Sequence, residues 1–329
     1  MPVDQLKLSG METLLPTKWF VILNPHAGSG RGKKDRAEIL KRLTKANFDY
    51  ELAVSEFPKH IIELTIDAIE NGFRNLIVAG GDGSLNEVVN GIFQQTVCSP
   101  EEITVGMIPV GTGNDWIKTF GIPIYYKEAV KILKQRKIMR QDVGRINFTE
   151  NEVTKTCYFA NMAGFGFDAL VASKTNQLKD KGQSGILLYL QALGSSFLNY
   201  QTDKTKVIID GQEIEEMIFS VSVGIGKYNG GGMMQAPGAV PNNGFFQVAI
   251  IRKIGLFGIL RNLAGLYSGK YVNDYRVSTF QARSVSISSA HNIAGEADGE
   301  TLGDNKFDID IFSQKLSVIY NPERYLKEN

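Results

Sequence analysis

Two aspartates stand where glycine-rich turns open helices. Asp82 lies in Val78-Ala79-Gly80-Gly81-Asp82-Gly83-Ser84-Leu85-Asn86-Glu87, and Asp115 in Pro109-Val110-Gly111-Thr112-Gly113-Asn114-Asp115-Trp116. A strand that enters a helix through such a turn leaves the first helical amides without partners. Those amides and the helix dipole favour an anion, and glycine lets a phosphate come close to the backbone. A carboxylate at the same spot fits a divalent cation or a proton in transfer. The plain alternative for Asp82 is a tight turn capped by Ser84, and for Asp115 an N-cap to the helix at Trp116. A third bend, Asn24-Pro25-His26-Ala27-Gly28-Ser29-Gly30-Arg31-Gly32-Lys33, offers more backbone amides with Arg31 and Lys33 beside them. It matches neither the dinucleotide fingerprint nor the P-loop pattern, because its glycines are misplaced and Lys34 stands where the P-loop has Ser or Thr. Ser55, at the end of an apolar run, offers a hydroxyl to a ribose or base. Glu300, in the acidic turn Glu296-Ala297-Asp298-Gly299-Glu300, becomes a proton acceptor for an attacking hydroxyl only if the fold brings it opposite Asp82.

The elements that would position these groups are legible as apolar runs. Trp19 to Leu23, Tyr50 to Val54, Leu76 to Ala79 and Ile103 to Ile108 read as strands. Helices follow at 34–43, 61–71 and from Leu85, and again at 127–136. Repeated strand, glycine bend and helix predict a parallel sheet with every bend at its carboxyl edge, so that three bends build one site. Past Gln141 the pattern changes to strands at 157–162, 205–209, 218–223, 245–251, 284–288, 307–311 and 316–319, which predicts an antiparallel β-sandwich. The expected division is a loose tail over 1–16, an α/β domain carrying the three bends over 17–142 (by the resemblance given below, the ATP-binding catalytic domain), a sandwich over 143–320, and a segment 321–329 that packs back on the first domain. Met11 is an alternative start.

Composition narrows the function classes. The 329 residues are long enough for two cores, and 36 Lys and Arg against 35 Asp and Glu give no basic excess, so no nucleic-acid partner is expected. Cys98 and Cys157 match no metal or redox spacing, and His26, His60 and His291 form no zinc pattern. No apolar run reaches the ~18 residues that span a bilayer, and the first sixteen lack the apolar core of a signal peptide. Reduced thiols in a cytoplasmic protein are expected. Two apolar stretches, 185–193 and 255–267, read either as buried helices or as a wall for an acyl chain or a membrane-resting surface.

Taken together, Asn24-Pro25 with its glycines, Gly80 to Glu87, Gly111 to Asp115 and Asp298-Gly299-Glu300 resemble the bacterial diacylglycerol kinase family, which is similar in its catalytic domain to sphingosine and ceramide kinases. The glycine-aspartate-glycine element alone also occurs in NAD kinases and phosphofructokinases, but the continuation Asn86-Glu87-Val88-Val89-Asn90-Gly91 favours the lipid kinases. The resemblance covers the chain from about Lys18. It implies a phosphofructokinase-like α/β nucleotide domain followed by the sandwich, with ATP in the cleft between. By resemblance, Asn24, Pro25, His26, Ala27, Gly28, Ser55, Gly81, Asp82, Gly83, Ser84, Leu85, Asn86, Glu87 and Thr112 would bind the nucleotide. Asp82 and Asp115 would hold Mg2+, Glu300 or Asp82 would act as the base, and Asp168 in Gly164-Phe165-Gly166-Phe167-Asp168 would hold the lipid headgroup. Ser84 replaces the family's usual threonine. Asn242 and Asn243 stand where the family often has a paired-aspartate turn for a structural magnesium, and a neutral amide oxygen binds a hard cation more weakly, so that second metal is expected to be weak or absent.

The implied activity is a lipid kinase that transfers the γ-phosphate of ATP to diacylglycerol or a similar alcohol, working from the cytoplasm and transiently at the inner face of the membrane. The alternatives are an NAD kinase-like enzyme for a soluble hydroxyl and a non-catalytic nucleotide- or lipid-binding regulator. Oligomeric state stays open, with a homodimer among the options.

Overall fold

The computed structural model describes residues 18–150, 152–180, 194–197, 200, 202–255, 258, 264–291, 293–304 and 306–328. The apolar stretch 185–193 and most of 255–267 therefore lie outside the described residues.

The α/β domain begins with β1 (Trp19–Leu23), α1 (Ala27–Lys45), β2 (Tyr50–Val54), α2 (His60–Glu70), β3 (Asn75–Gly80), α3 (Asp82–Gln94), β4 (Thr104–Pro109), α4 (Asp115–Thr119) and α5 (Tyr126–Gln135). The strands pair in parallel in the order β2, β1, β3, β4. Helices cover both faces, so the strands are apolar without alternation. Leu76 and Val78 of β3 face Val88, Val89 and Ile92 of α3 and Ile61 and Ile69 of α2. Ile77 and Ala79 face the other way, onto Ile39 and Leu43 of α1 and Val130 and Leu133 of α5. Side chains alternate across a strand, and here each side finds a helix.

The second domain is built from β5 (Ile138–Glu150), β6 (Val153–Phe159), β7 (Met162–Gly166), α6 (Phe167–Asp180), β8 (Asp203–Ile209), β9 (Gln212–Gly224), β10 (Phe246–Arg252), β11 (Val277–Ala282), β12 (Ser284–Ser289), β13 (Ala294–Ala297), β14 (Glu300–Asp304) and β15 (Phe307–Ile319), with α7 (Pro322–Glu328) at the end. These strands pair antiparallel around a core that includes Ile146, Phe159, Phe165, Val221, Phe246 and Phe307.

One strand runs longer than its apolar pattern indicates. The runs 307–311 and 316–319 are the two ends of β15, which pairs with β5 along its length and has an irregularity between Phe312 and Leu316. Gln314, with φ of 52°, turns out at this irregularity. Asp142 holds it in place: Oδ1 accepts the Gln314 N–H at 2.6 Å and Oδ2 accepts the Gly244 N–H at 2.8 Å. The buried Asp142 interrupts the apolar pattern of β5, so the sequence there shows a boundary and the structure a strand. Beyond the irregularity β15 stays paired with β5 and also pairs in parallel with β4, Ser317 opposite Thr104 and Val318 opposite Val105, which makes the antiparallel and parallel strands one continuous sheet. After it, the Asn321 N–H donates to the Phe120 carbonyl at 3.0 Å, which sets α7 against the α/β domain. Among the described residues no helix is long and apolar enough to cross a membrane.

Candidate active site

The three glycine bends meet at the carboxyl edge of the parallel strands. The Asn24 N–H donates to the Ala79 carbonyl at 3.0 Å, and the Val110 N–H donates to the Gly80 carbonyl at 2.7 Å. Asn24 Nδ2 donates to Ser84 Oγ at 2.9 Å, and Asn24 Oδ1 accepts the His26 N–H at 2.9 Å. The Ser55 N–H donates to the Leu23 carbonyl at 3.0 Å, bringing the end of β2 to the same edge. Two backbones touch at the centre. A Cβ on Gly111 would lie 2.6 Å from the Gly81 Cα, so neither bend tolerates a side chain there.

The side chains in these bends divide into those that build the site and those that remain open to it. Arg31 builds it: its guanidinium donates to the Val110 carbonyl at 2.7 Å, locking the first bend to the third, and so is not a loose phosphate ligand. Ser84 accepts from Asn24 and does not cap α3. Leu85 is in the core. Asn86 is buried, with Nδ2 on the Tyr158 carbonyl at 3.0 Å and Asp298 Oδ2 at 3.2 Å, so it fastens α3 to the sandwich. Glu87 caps α2 by accepting the Ile61 N–H at 3.2 Å. Pro25 accepts the Lys33 N–H at 2.9 Å through its carbonyl, and Ala27 and Gly28 are half-buried in the same bend. His26 and Thr112 are exposed at the mouth, and Gly83 opens the first turn of α3.

Asp82 and Asp115 come together beside Gly113. A Cβ on Gly113 would sit 3.2 Å from Asp82 Oδ2 and 3.5 Å from Asp115 Oδ2. Asp82, not Asp115, caps α4: Oδ2 accepts the Asp115 N–H at 3.0 Å and Oδ1 the Trp116 N–H at 3.1 Å. Burial, and after it the adjacent Asp115 carboxylate, pushes the Asp82 carboxyl up to about 6. Asp115 is 4% exposed. Its Oδ1 accepts Lys118 Nζ at 2.7 Å, and its Oδ2 crosses to the second domain, where it accepts the Gly231 N–H at 2.7 Å. Asn114 Oδ1 is buried between the second and third bends without a hydrogen-bond partner. Two adjacent acids, an orphaned acceptor and a cradle lined by glycine fit a hydrated hard cation and its phosphate ligands.

The second domain supplies Glu300. Asp298 anchors the turn that carries it: Oδ2 accepts the Ala160 N–H at 2.8 Å, and Oδ1 accepts the Asn161 N–H at 3.0 Å and the Met162 N–H at 2.9 Å. Asp298 and Gly299 both have positive φ, at 50° and 87°, which closes the β13–β14 hairpin. Glu300 is exposed, and its Oε1 would be 3.3 Å from a Cβ on Gly83, so its carboxylate faces the first turn of α3 across the interdomain cleft. Burial, and Glu300 among the lesser causes, raises the carboxyl of Glu87. Asp168 lies deeper in the sandwich domain at the start of α6, where Ser220 and Ser222 hydroxyls donate to its Oδ2 at 2.7 and 3.0 Å. The structure thus gathers the three bends, Asp82, Asp115 and Glu300, and places Asp168 next to Glu296, both within 3.1 Å of where a Cβ on Gly164 would lie. It adds the Gly230-Gly231-Gly232 turn and the anchoring role of Asp298. The glycine run was a visible signal. The role of Asp298 depends on amides over a hundred residues away and had none.

The chain matches the family model described as a diacylglycerol kinase catalytic domain over residues 18–146. Over 161–320 it matches the model described as a YegS C-terminal NAD kinase beta sandwich-like domain. It is similar to the protein named diacylglycerol kinase of Staphylococcus carnosus (strain TM300), at 28% identity over 286 residues, covering 86% of this chain and 88% of the relative. A solved structure of a diacylglycerol kinase from Bacillus anthracis shares the fold with a TM-score of 0.69 at 22% identity, covering 93% of this chain and 98% of the other. Yeast NADH kinase complexed with NADH is similar at a TM-score of 0.57 and 12% identity, covering 95% of this chain and 86% of the other.

Proposed function

The chain belongs to the bacterial family of diacylglycerol and lipid kinases that joins these two domains, and on that premise we propose that it transfers the γ-phosphoryl group of ATP, with magnesium, to the hydroxyl of a lipid alcohol. The observation that carries this reading is the convergence of three glycine bends on Asp82 and Asp115, with Glu300 facing them across the cleft. The amides at the start of α3 suit the phosphates, and the open mouth near His26, Ser55 and Thr112 suits the nucleoside. Asp82 and Asp115 would hold the magnesium ion, which when bound neutralises phosphate charge. Glu300 is the better placed base. It is exposed to the cleft, whereas both Asp82 oxygens already accept backbone N–H bonds. Positioning and charge neutralisation supply most of the acceleration in such a reaction. Asp168, with its serine partners, is the candidate headgroup contact, and the lipid would be met at a membrane surface.

A screen of lipid alcohols with labelled ATP and the pure protein tests the reading. Phosphorylation of diacylglycerol or a related alcohol that is lost in Glu300→Gln is expected. Transfer to NAD with none to any lipid would replace it with the soluble-hydroxyl reading that the shared fold with NADH kinase favours. Binding of ATP without transfer to either would point to a regulator. A second, structural magnesium forms no part of the proposal. Asn243 Oδ1 already accepts the Phe245 N–H at 3.0 Å, and magnesium titration without nucleotide is expected to find no tight site that depends on Asn243.

A further inference from the structure

Among the described residues the reading above leaves one buried acid, Glu296, without a task. Glu296 stands on β13, opposite Gly164 of β7 and Thr301 of β14, and is 1% exposed. A carboxyl group in such a place is costly unless hydrogen bonds compensate its burial. Gly164 makes room for it, since a Cβ there would lie 2.8 Å from Glu296 Oε1.

The two oxygens of this carboxyl go to two different turns. Oε2 accepts the Gly299 N–H at 2.8 Å, within the hairpin that delivers Glu300. Oε1 accepts from Asn229 Nδ2 at 3.3 Å. Asn229 closes the tri-glycine turn: its N–H donates to the Met233 carbonyl at 2.9 Å, and the Met233 N–H returns to the Asn229 carbonyl at 3.1 Å. Inside that turn Gly230, Gly231 and Gly232 all have positive φ, and the Gly231 N–H is the one that reaches Asp115. Two of the turns of the second domain that face the α/β domain are therefore linked through one side chain.

We propose that Glu296 is a positioning residue that couples these turns, so that Glu300 and the Gly231 contact to Asp115 are set in register by a single buried carboxyl group. The catalytic consequence rests on the lipid kinase reading; the coupling itself does not. A carboxylate suits the task because each oxygen accepts, whereas glutamine turns an NH2 toward one of two donors. Burial pushes Glu296 up to about 8, with Asp298 on its own hairpin and Asp168 from α6 adding to the effect. Glutamine is then a close mimic below that value and a poor one above it.

The test compares wild type, Glu296→Gln and Glu296→Leu by steady-state kinetics and by hydrogen exchange. Glu296→Leu is expected to lower kcat by about ten- to a hundredfold with the KM for ATP little changed, as for a displaced catalytic group. The ratio of wild-type to Glu296→Gln kcat should be near one at about pH 6.5 and rise above about pH 8. Exchange should quicken together at 229–233 and 298–301 in Glu296→Leu, and above about pH 8 in Glu296→Gln, while β1 and β3 stay protected. Should Glu296→Leu fail to fold, Glu296→Gln above that pH decides alone. Wild-type kinetics in both variants, or loosening of only one segment, would overturn the coupling. A wild type that phosphorylates no lipid would sink the kinase reading instead, and the exchange experiment would still decide the role of Glu296.

Discussion

At the scale of single residues, the site's carboxylates differ in what already occupies them. Asp82 spends both oxygens on the amides that start α4, Asp115 spends its own on Lys118 and Gly231, and Asp298 is saturated by three backbone amides and Asn86. Glu300 alone of these faces the cleft exposed. Replacing Asp82 by Asn keeps one acceptor and removes the charge. The expected result is a turnover at least about a hundredfold lower, read by phosphate transfer, at a stability cost of about 1 kcal/mol for the weakened cap. The carboxyl of Asp82 is raised from 3.8 to about 6, so folding favours its protonated form. Its contribution to stability is complete below 3.8 and is lost as pH rises through about 6. Asp82→Asn has no such loss. Melting temperatures taken from about pH 4 to about pH 7 should therefore move in favour of the variant as pH rises. A gap that stays constant across that range would show that Asp82 is not the buried acid described here.

At the scale of elements, the site exists because three strand ends lie side by side and their bends share a backbone surface. The contact between Gly81 and Gly111 is the point where a side chain cannot be added. Gly111→Ala must push its bend off Gly81, and overpacking of this kind costs about 1–3 kcal/mol. Loss of measurable ATP binding with a lowered melting temperature is the expected outcome. Gly30→Ala makes a control of local space, since nothing lies within 4 Å of a Cβ there, although its φ of 87° adds backbone strain. Arg31 works at the same scale. Its bond to the Val110 carbonyl fixes the first bend against the third, a role that charge and proximity to glycine do not distinguish from phosphate binding.

At the scale of the molecule, β15 makes one body of two domains. Its first part pairs with β12 and β5, and near its end Ser317 and Val318 also pair with β4 among the parallel strands while 316–319 stay paired with β5. Asn86 to Asp298 and Asp115 to Gly231 tie the domains again at the cleft. Leu316, fully buried where β15 crosses over, is the sensitive position. Leu316→Ala is expected to cost about 2–5 kcal/mol, measured by denaturant unfolding. Calorimetry should show both domains melting in a single transition in wild type. Two separated transitions would mean that β15 does not carry the coupling.

The bends, their strands and the acids beside them were legible because each is a local pattern: an apolar run covered on both faces, a glycine where a helix starts, a carboxylate next to it. The change to antiparallel strands past Gln141 was legible for the same reason, as was the resemblance that assembled Asn24, Asp82, Asp115 and Glu300 into one reading. What no local pattern carries is the partner of a polar group. That Asp82 caps α4, that Asn86 and Asp298 meet across more than two hundred residues, that β15 is one strand joining the antiparallel to the parallel strands, and that Glu296 grips two turns are decided by packing. A buried donor or acceptor must be satisfied by whatever the folded chain brings to it, and that neighbour is fixed only once the sheets have closed.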